Sequence, residues 1–141
     1  NAGMEINHAR KKLETGGVQS LAAFGIDIET LLRQVGIRIG EELSFSMKDI
    51  NGDVEYLNEI MDWWEYSGLG KLTYDIDPVF HIEVNLEQKI SEDSLPLWAL
   101  DDGIIEGAIM SRYESRDGIE INRIAGDSTT QFHSRYEIMM N

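Results

Sequence analysis

Lys71-Leu72-Thr73-Tyr74-Asp75-Ile76-Asp77-Pro78-Val79-Phe80-His81-Ile82-Glu83-Val84-Asn85-Leu86 is the stretch on which the fold turns. Leu72, Tyr74 and Ile76 alternate with Lys71, Thr73 and Asp75. Beyond Asp77-Pro78, Phe80, Ile82, Val84 and Leu86 alternate with Val79, His81, Glu83 and Asn85. A period of two places every second side chain on one face, the mark of a half-buried strand. Proline fixes its own φ and biases the residue before it, so Asp77-Pro78 reads as a turn. Two such runs joined by a turn predict an antiparallel hairpin.

Upstream of the hairpin the period becomes helical. Asp27 is suited to cap a helix over 27–47, because its carboxylate can accept backbone N–H groups left free in the first turn. Ile28, Leu31, Leu32, Val35, Ile39 and Leu43 recur near a 3.6 period and read as its inner face. Gly36 and Gly40 lie together on one side. Each costs an isolated helix roughly 1 kcal/mol relative to alanine, so their spacing predicts a second element packed closely there. Asn51-Gly52-Asp53 reads as a turn into a second helix over 53–66, with Val54, Leu57, Ile60, Met61 and Trp64 facing inward and Ser67-Gly68 ending it. Adjacent Trp63 and Trp64 point about 100° apart, so one of them is available to cover a pocket or an interface.

Downstream, residues 88–95 read as a polar loop. Asp101-Asp102-Gly103 is expected to open a third helix running to about Glu114, with Ile104, Ile105, Ala108, Ile109 and Tyr113 on its apolar face. Residues 119–125 and 129–140 read as a second hairpin around Gly126-Asp127, carrying Ile119, Ile121, Phe132, Tyr136 and Ile138. Helices, hairpin, helix, hairpin predict an α+β domain: an antiparallel sheet built from two hairpins, with helices packed on one face. Residues 1–26 form an ambiguous N-terminal segment, with a polar helix over 4–14 and an apolar patch over 18–24. Asn1-Ala2-Gly3 reads as the remnant of a cleaved tag, and 27–141 as the domain proper.

The chain has 141 residues, and its 26 acidic and 12 basic side chains give a formal net charge of −14. Its one basic cluster, Arg10-Lys11-Lys12, lies near the start, so no direct nucleic-acid partner is expected. No apolar run reaches the ~18–20 residues that span a bilayer. No secretory leader is evident, and a cytoplasmic location is expected. Without cysteine, disulfides and thiolate metal sites are excluded.

Chemical candidates each have a plain alternative. His81 and His133, on different hairpins, could pair at a metal or relay a proton, or be ordinary half-exposed strand residues. Asp101, Asp102 and Glu106 could do acid–base work, but cap a helix start more simply. Glu41-Glu42 reads as a solvated helix face. Gly68-Leu69-Gly70-Lys71 lacks the spacing of a phosphate loop and precedes a strand. No catalytic residue, metal ligand or cofactor site is assigned. The many aromatics, among them Phe80 and Trp98, could be core or pocket wall. Phe80, Trp98, Ile104 and Met110 are the candidate lining of an apolar ligand pocket.

Several short motifs share an order. They are Gly36-Ile37-Arg38-Ile39-Gly40-Glu41-Glu42-Leu43, Gly68-Leu69-Gly70, Gly103-Ile104-Ile105-Glu106-Gly107, and Gly126-Asp127-Ser128-Thr129-Thr130-Gln131-Phe132. Over roughly residues 27–140 this order resembles the 4-vinyl reductase domain family. That family includes input domains of bacterial activators that sense aromatic compounds and a protein linked to bacteriochlorophyll vinyl reduction. It shares its fold with subunits of the TRAPP tethering complex and with haem nitric-oxide-binding domains. Zinc-binding members end in a pattern like Cys-x-Ala-x-Gly-Asp-x-x-Cys-x-Phe. Here Gly126, Asp127 and Phe132 match, whereas Asn122 and Thr130 stand at the cysteine positions. The resemblance implies a hydrophobic-ligand-binding sensory domain without zinc, regulatory and homodimeric, with helix 27–47 as a candidate interface. An assembly subunit like the tethering-complex proteins is the alternative, and an accessory to a tetrapyrrole vinyl reductase the second.

Overall fold

A computed structural model describes residues 27–85, 96–113, 118–127 and 129–140. The expected helix over 4–14, the patch over 18–24 and the loop over 88–95 lie outside them. The elements run α1 (Ile28–Ser46), α2 (Asp53–Tyr66), β1 (Lys71–Asp75), β2 (His81–Asn85), α3 (Leu97–Arg112), β3 (Glu120–Ala125) and β4 (Ser134–Met139). The strands form one antiparallel sheet in the order β1-β2-β4-β3. The expected α+β architecture is the one observed.

The alternating residues set the register. Tyr74 pairs with Ile82, Ile82 with Tyr136, and Tyr136 with Arg123, giving one row across the inner face. Leu72, Val84, Ser134 and Ala125 form the next row. The core unites Ile104, Ile105, Ala108 and Ile109 of α3 and Tyr56, Leu57, Ile60 and Trp64 of α2 with Leu72, Ile82, Val84, Tyr136 and Ile138 of the sheet. Trp64 is fully buried, and Trp63 packs partly buried beside it, edge to face at 6.4 Å. The Tyr56 hydroxyl donates to the Ala108 carbonyl at 2.6 Å, tying α2 to α3. Arg112 stacks on the Tyr56 ring and donates to the carbonyls of Ile50 and Asn51, holding the α1–α2 turn against the end of α3.

The expected element for Gly36 and Gly40 is α3, which carries glycines at the same spacing. A Cβ on Gly36 would lie 2.9 Å from Gly103 Cα, and one on Gly40 would lie 2.2 Å from the Ile104 carbonyl oxygen. From the other side, a Cβ on Gly103 would meet the Arg33 carbonyl, and one on Gly107 the Ile37 carbonyl. The two helices therefore touch backbone to backbone and run in the same direction.

This contact corrects the expected inner face of α1. Gly36, Gly40 and Ser44 are buried, whereas Leu31 and Val35 are 49% and 45% exposed. The apolar stripe marks the packed side only in part: Ile28 is buried and Ile39 and Leu43 pack against the core, but the glycine line is what lets α3 approach. The glycine side is thereby filled by α3, and among the described residues Leu31 and Val35 stay exposed. On α2 Tyr56 is fully buried along with Trp64, whereas Val54 is exposed. Ile76 is also exposed, lying past the end of β1. The β1–β2 connection contains a cis Asp77–Pro78 bond.

The third helix begins earlier than expected. Its N-cap is Pro96, whose carbonyl accepts the Ala99 N–H at 2.9 Å. Leu97-Trp98-Ala99-Leu100 then supplies good helix formers. Asp102-Gly103 resembles a turn in sequence, but Gly103 sits mid-helix because α1 packs on it. Asp101 and Asp102 are thus not caps.

Candidate functional site: a charged cleft between α1, α3 and β3

Three consequences of the fold converge on one place. The glycine contact brings α1 so near α3 that Arg33, three residues before Gly36, reaches Asp102. The spacing of Asp102, Glu106 and Met110 aligns them along one side of α3. The sheet register sets Arg123 beside Tyr136 on the inner face. Together with Ile121 these residues line a cleft of about 370 Å³.

Asp102 is its hub. Arg33 Nη2 donates to Asp102 Oδ2 at 3.0 Å, and Arg123 Nε stands 3.4 Å from Asp102 Oδ1. Arg123 Nε also donates to Ser134 Oγ at 3.1 Å. Trp98, one turn before Asp102, presents its ring to both guanidinium groups, at 4.6 Å for Arg123 and 5.8 Å for Arg33. Cations over an indole face are attracted by the ring's quadrupole, so Trp98 helps hold both arginines in place.

The electrostatics follow from burial. Asp101 is 3% exposed, and its carboxyl is pushed up to about 7, chiefly by loss of water and then by the neighbouring Asp102 charge, with Arg123 opposing. The Tyr136 phenol is pushed well above its usual range by burial and by Asp102. His133 is lowered by burial and by Arg123, and its Nδ1 lies 3.1 Å from Ser134 Oγ. Asp102 Oδ1 and the Tyr136 hydroxyl, both buried at the cleft, miss ideal hydrogen-bond geometry, but Asp102 Oδ1 faces Arg123 Nε and the hydroxyl interacts with Asp102 and Ser134.

The expected ligand-lining residues do not form a single wall. Met110 lines the cleft, and Trp98 backs its arginines. Ile104 is 1% exposed inside the core. Phe80 packs against the core before β2, its carbonyl accepting the Ile138 N–H. The sequence reading missed Arg33, Arg123 and Tyr136, and treated Asp101 and Asp102 as caps. The available signal was a pair of acidic residues followed by an apolar run, which fits a helix start and a helix interior equally well.

The histidines are separately engaged. His81 Nδ1 lies 2.7 Å from the Val79 carbonyl, whereas the His133 ring meets Ser134 and its backbone N–H donates to the Val84 carbonyl. Among the described residues no three histidine, aspartate or glutamate side chains group as metal ligands. At the expected cysteine positions, Asn122 lies on β3 opposite Glu137. Thr130 lies in the hairpin loop, its hydroxyl accepting the Asp127 N–H at 2.9 Å. Asp127 Oδ1 in turn accepts from the Thr129 N–H and hydroxyl. A Cβ on Gly126 would overlap the Phe132 carbonyl, so this loop admits only glycine there. Gly68 and Gly70, at φ +77° and +108°, carry the chain from α2 into β1 and frame no phosphate loop.

No family model matches this chain, and no curated protein matches it at a significant level.

Proposed function

We propose that this chain is a small-molecule-binding sensory domain, regulatory and dimeric, whose ligand enters the cleft between α1, α3 and β3. The observation that carries this reading is a cleft of about 370 Å³ whose wall sets Arg33, Asp102, Glu106 and Arg123 beside Met110 and Ile121. That volume lies in the range of small-molecule sites. The order of glycine motifs that resembles 4-vinyl reductase domains points the same way. The ligand is amphipathic rather than wholly apolar, because Met110 and Ile121 share the wall with Arg33, Asp102, Glu106 and Arg123.

A ligand that bridges α1, α3 and the sheet binds best to one spacing of these elements, and so shifts their population. Dimerisation through the exposed Leu31–Val35 side of α1 would carry that shift to a second copy. With 26 acidic side chains against 12 basic ones, any DNA contact belongs to another part of a regulator. The test is native mass spectrometry together with thermal unfolding against a panel of small amphipathic compounds. A retained mass, or a melting temperature that rises with ligand concentration, is expected. Neither signal across the panel would overturn the reading.

A further inference from the structure

The cleft sorts its charges along one side of α3. At one end Arg33 from α1 and Arg123 from β3 converge on Asp102, at 3.0 and 3.4 Å. Trp98 faces both guanidinium groups, and Ser134 Oγ accepts from Arg123 Nε. Two cations against one carboxylate leave a positive surplus, which the buried Asp101, its carboxyl pushed up to about 7, offsets only in part. A guanidinium also carries more N–H groups than these contacts use. One turn further along α3, Glu106 lines the same cleft. Among the described residues no ion pair or hydrogen bond reaches its carboxylate. Asp102, Ser134 and Trp98 hold the arginines, so unmatched positive and negative charge stand apart in one cleft. Met110, a further turn along, and Ile121 of β3 supply the apolar wall.

That side of α3 therefore reads arginine pair, free carboxylate, apolar surface, in steps of about 6 Å along the helix axis. A simple carboxylate would reach the arginines and leave Glu106 unmatched. A simple amine would reach Glu106 and stand near two arginines. A zwitterion meets both and adds no net charge to a chain already at −14. We propose that the cleft binds an α-amino acid with an apolar side chain. Its carboxylate accepts from the unused N–H groups of Arg33 and Arg123, whose forks suit a carboxylate. Its ammonium donates to Glu106, and its side chain lies on Met110 and Ile121. Asp102 stays between the arginines and positions them. This inference rests on the cleft being the ligand site.

The test titrates the full chain with leucine and four compounds that share its side chain: 4-methylpentanoate and N-acetyl-leucine, which lack the ammonium, and 3-methylbutylamine and leucinamide, which lack the carboxylate. The readout is the NMR shifts of the Trp98 indole and of the backbone amides around Asp102 and Glu106. Leucine should bind at least about tenfold more tightly than the other four, the size expected when a charged group of the site loses its partner. Glu106→Gln should cost leucine about tenfold and leave 4-methylpentanoate bound no more weakly. The same variant should melt with the parent, because among the described residues Glu106 has no partner to lose. Equal binding of any of the four analogues overturns the zwitterion assignment and keeps the cleft as a ligand site. Full leucine affinity in Glu106→Gln also overturns it. Silence from all five compounds overturns it while a hit from the amphipathic panel keeps the underlying reading, and silence from both sets removes both.

Discussion

Gly36 and Gly103 meet backbone to backbone: a Cβ on either would lie 2.9 Å from the other's Cα. This contact fixes the spacing of α1 and α3, and through it the reach of Arg33 to Asp102. Gly40 is packed as closely, with the Ile104 carbonyl and the Ala108 nitrogen at 2.2 and 2.6 Å from a Cβ placed there. Both neighbours are backbone and cannot rotate away.

Gly40→Ala should therefore destabilise the domain by roughly 2–3 kcal/mol in urea unfolding, overpacking outweighing alanine's better helix propensity. Gly52→Ala is the control. A Cβ there meets only the Glu55 side chain at 3.7 Å, and the loss should stay below about 1 kcal/mol. Equal effects at the two positions would contradict the close helix contact.

The two ion pairs of Asp102 should be unequal to the two arginines' removal. Arg33 is 39% exposed at its side chain and Asp102 only 14%. Arg33→Ala should cost under about 1 kcal/mol, as exposed partners do. Asp102→Ala strands both guanidinium groups and should cost roughly 3 kcal/mol. Chemical denaturation of the two variants measures the difference.

Asp101 makes stability depend on pH. Its carboxyl is raised from 3.8 to about 7 in the folded protein. Below pH 4 both states hold the proton. Between about 4 and 7 the unfolded chain releases it while the folded chain keeps it, so stability falls as pH rises and levels off above 7. Asp101→Asn should remove this slope and be more stable than the parent at pH 8, by about 4 kcal/mol. The lowered groups Asp27, Asp75 and Asp127 are unchanged in the variant, so they cancel in the difference. A difference in unfolding free energy that stays flat from pH 4 to 8 would contradict the buried acid.

Two buried tyrosines should respond unequally to loss of their hydroxyls. Tyr56 donates to the Ala108 carbonyl, so Tyr56→Phe should cost about 1 kcal/mol. The Tyr136 hydroxyl interacts with Asp102 and Ser134 outside ideal geometry, so Tyr136→Phe should cost less than Tyr56→Phe. Paired melting curves check both.

If α1 pairs two copies through Leu31 and Val35, Val35→Glu should convert dimer to monomer in sedimentation, with no loss of helix content. A parent that is already monomeric at high concentration would remove this interface. The open side is the one tested because α3 occupies the glycine side.

Much of the architecture was legible in local sequence. The period-two runs at 71–86 place Leu72, Ile82 and Val84 inward, and all three are buried. Asp27 caps α1 as its chemistry implies, accepting the Thr30 N–H at 3.3 Å. The cleft was far less legible. Arg33, Asp102, Arg123 and Tyr136 come from four separate elements, and no spacing rule links them. Asp101-Asp102 carries the same local signal as a helix cap, and only the packing of Gly103 against α1 shows that the helix passes through it.

What the sequence determined by itself was therefore periodicity: where strands and helices run, and that a close neighbour must meet Gly36 and Gly40. Propensity, capping and alternation act over a few residues and can be read one segment at a time. Which side of α1 faces inward was decided by tertiary structure, because backbone contact with α3 outweighs burial of Leu31 and Val35. The charged cleft was decided there too. Its ion pairs exist only once the helix spacing and the β3–β4 register bring distant residues within a few ångströms of one another.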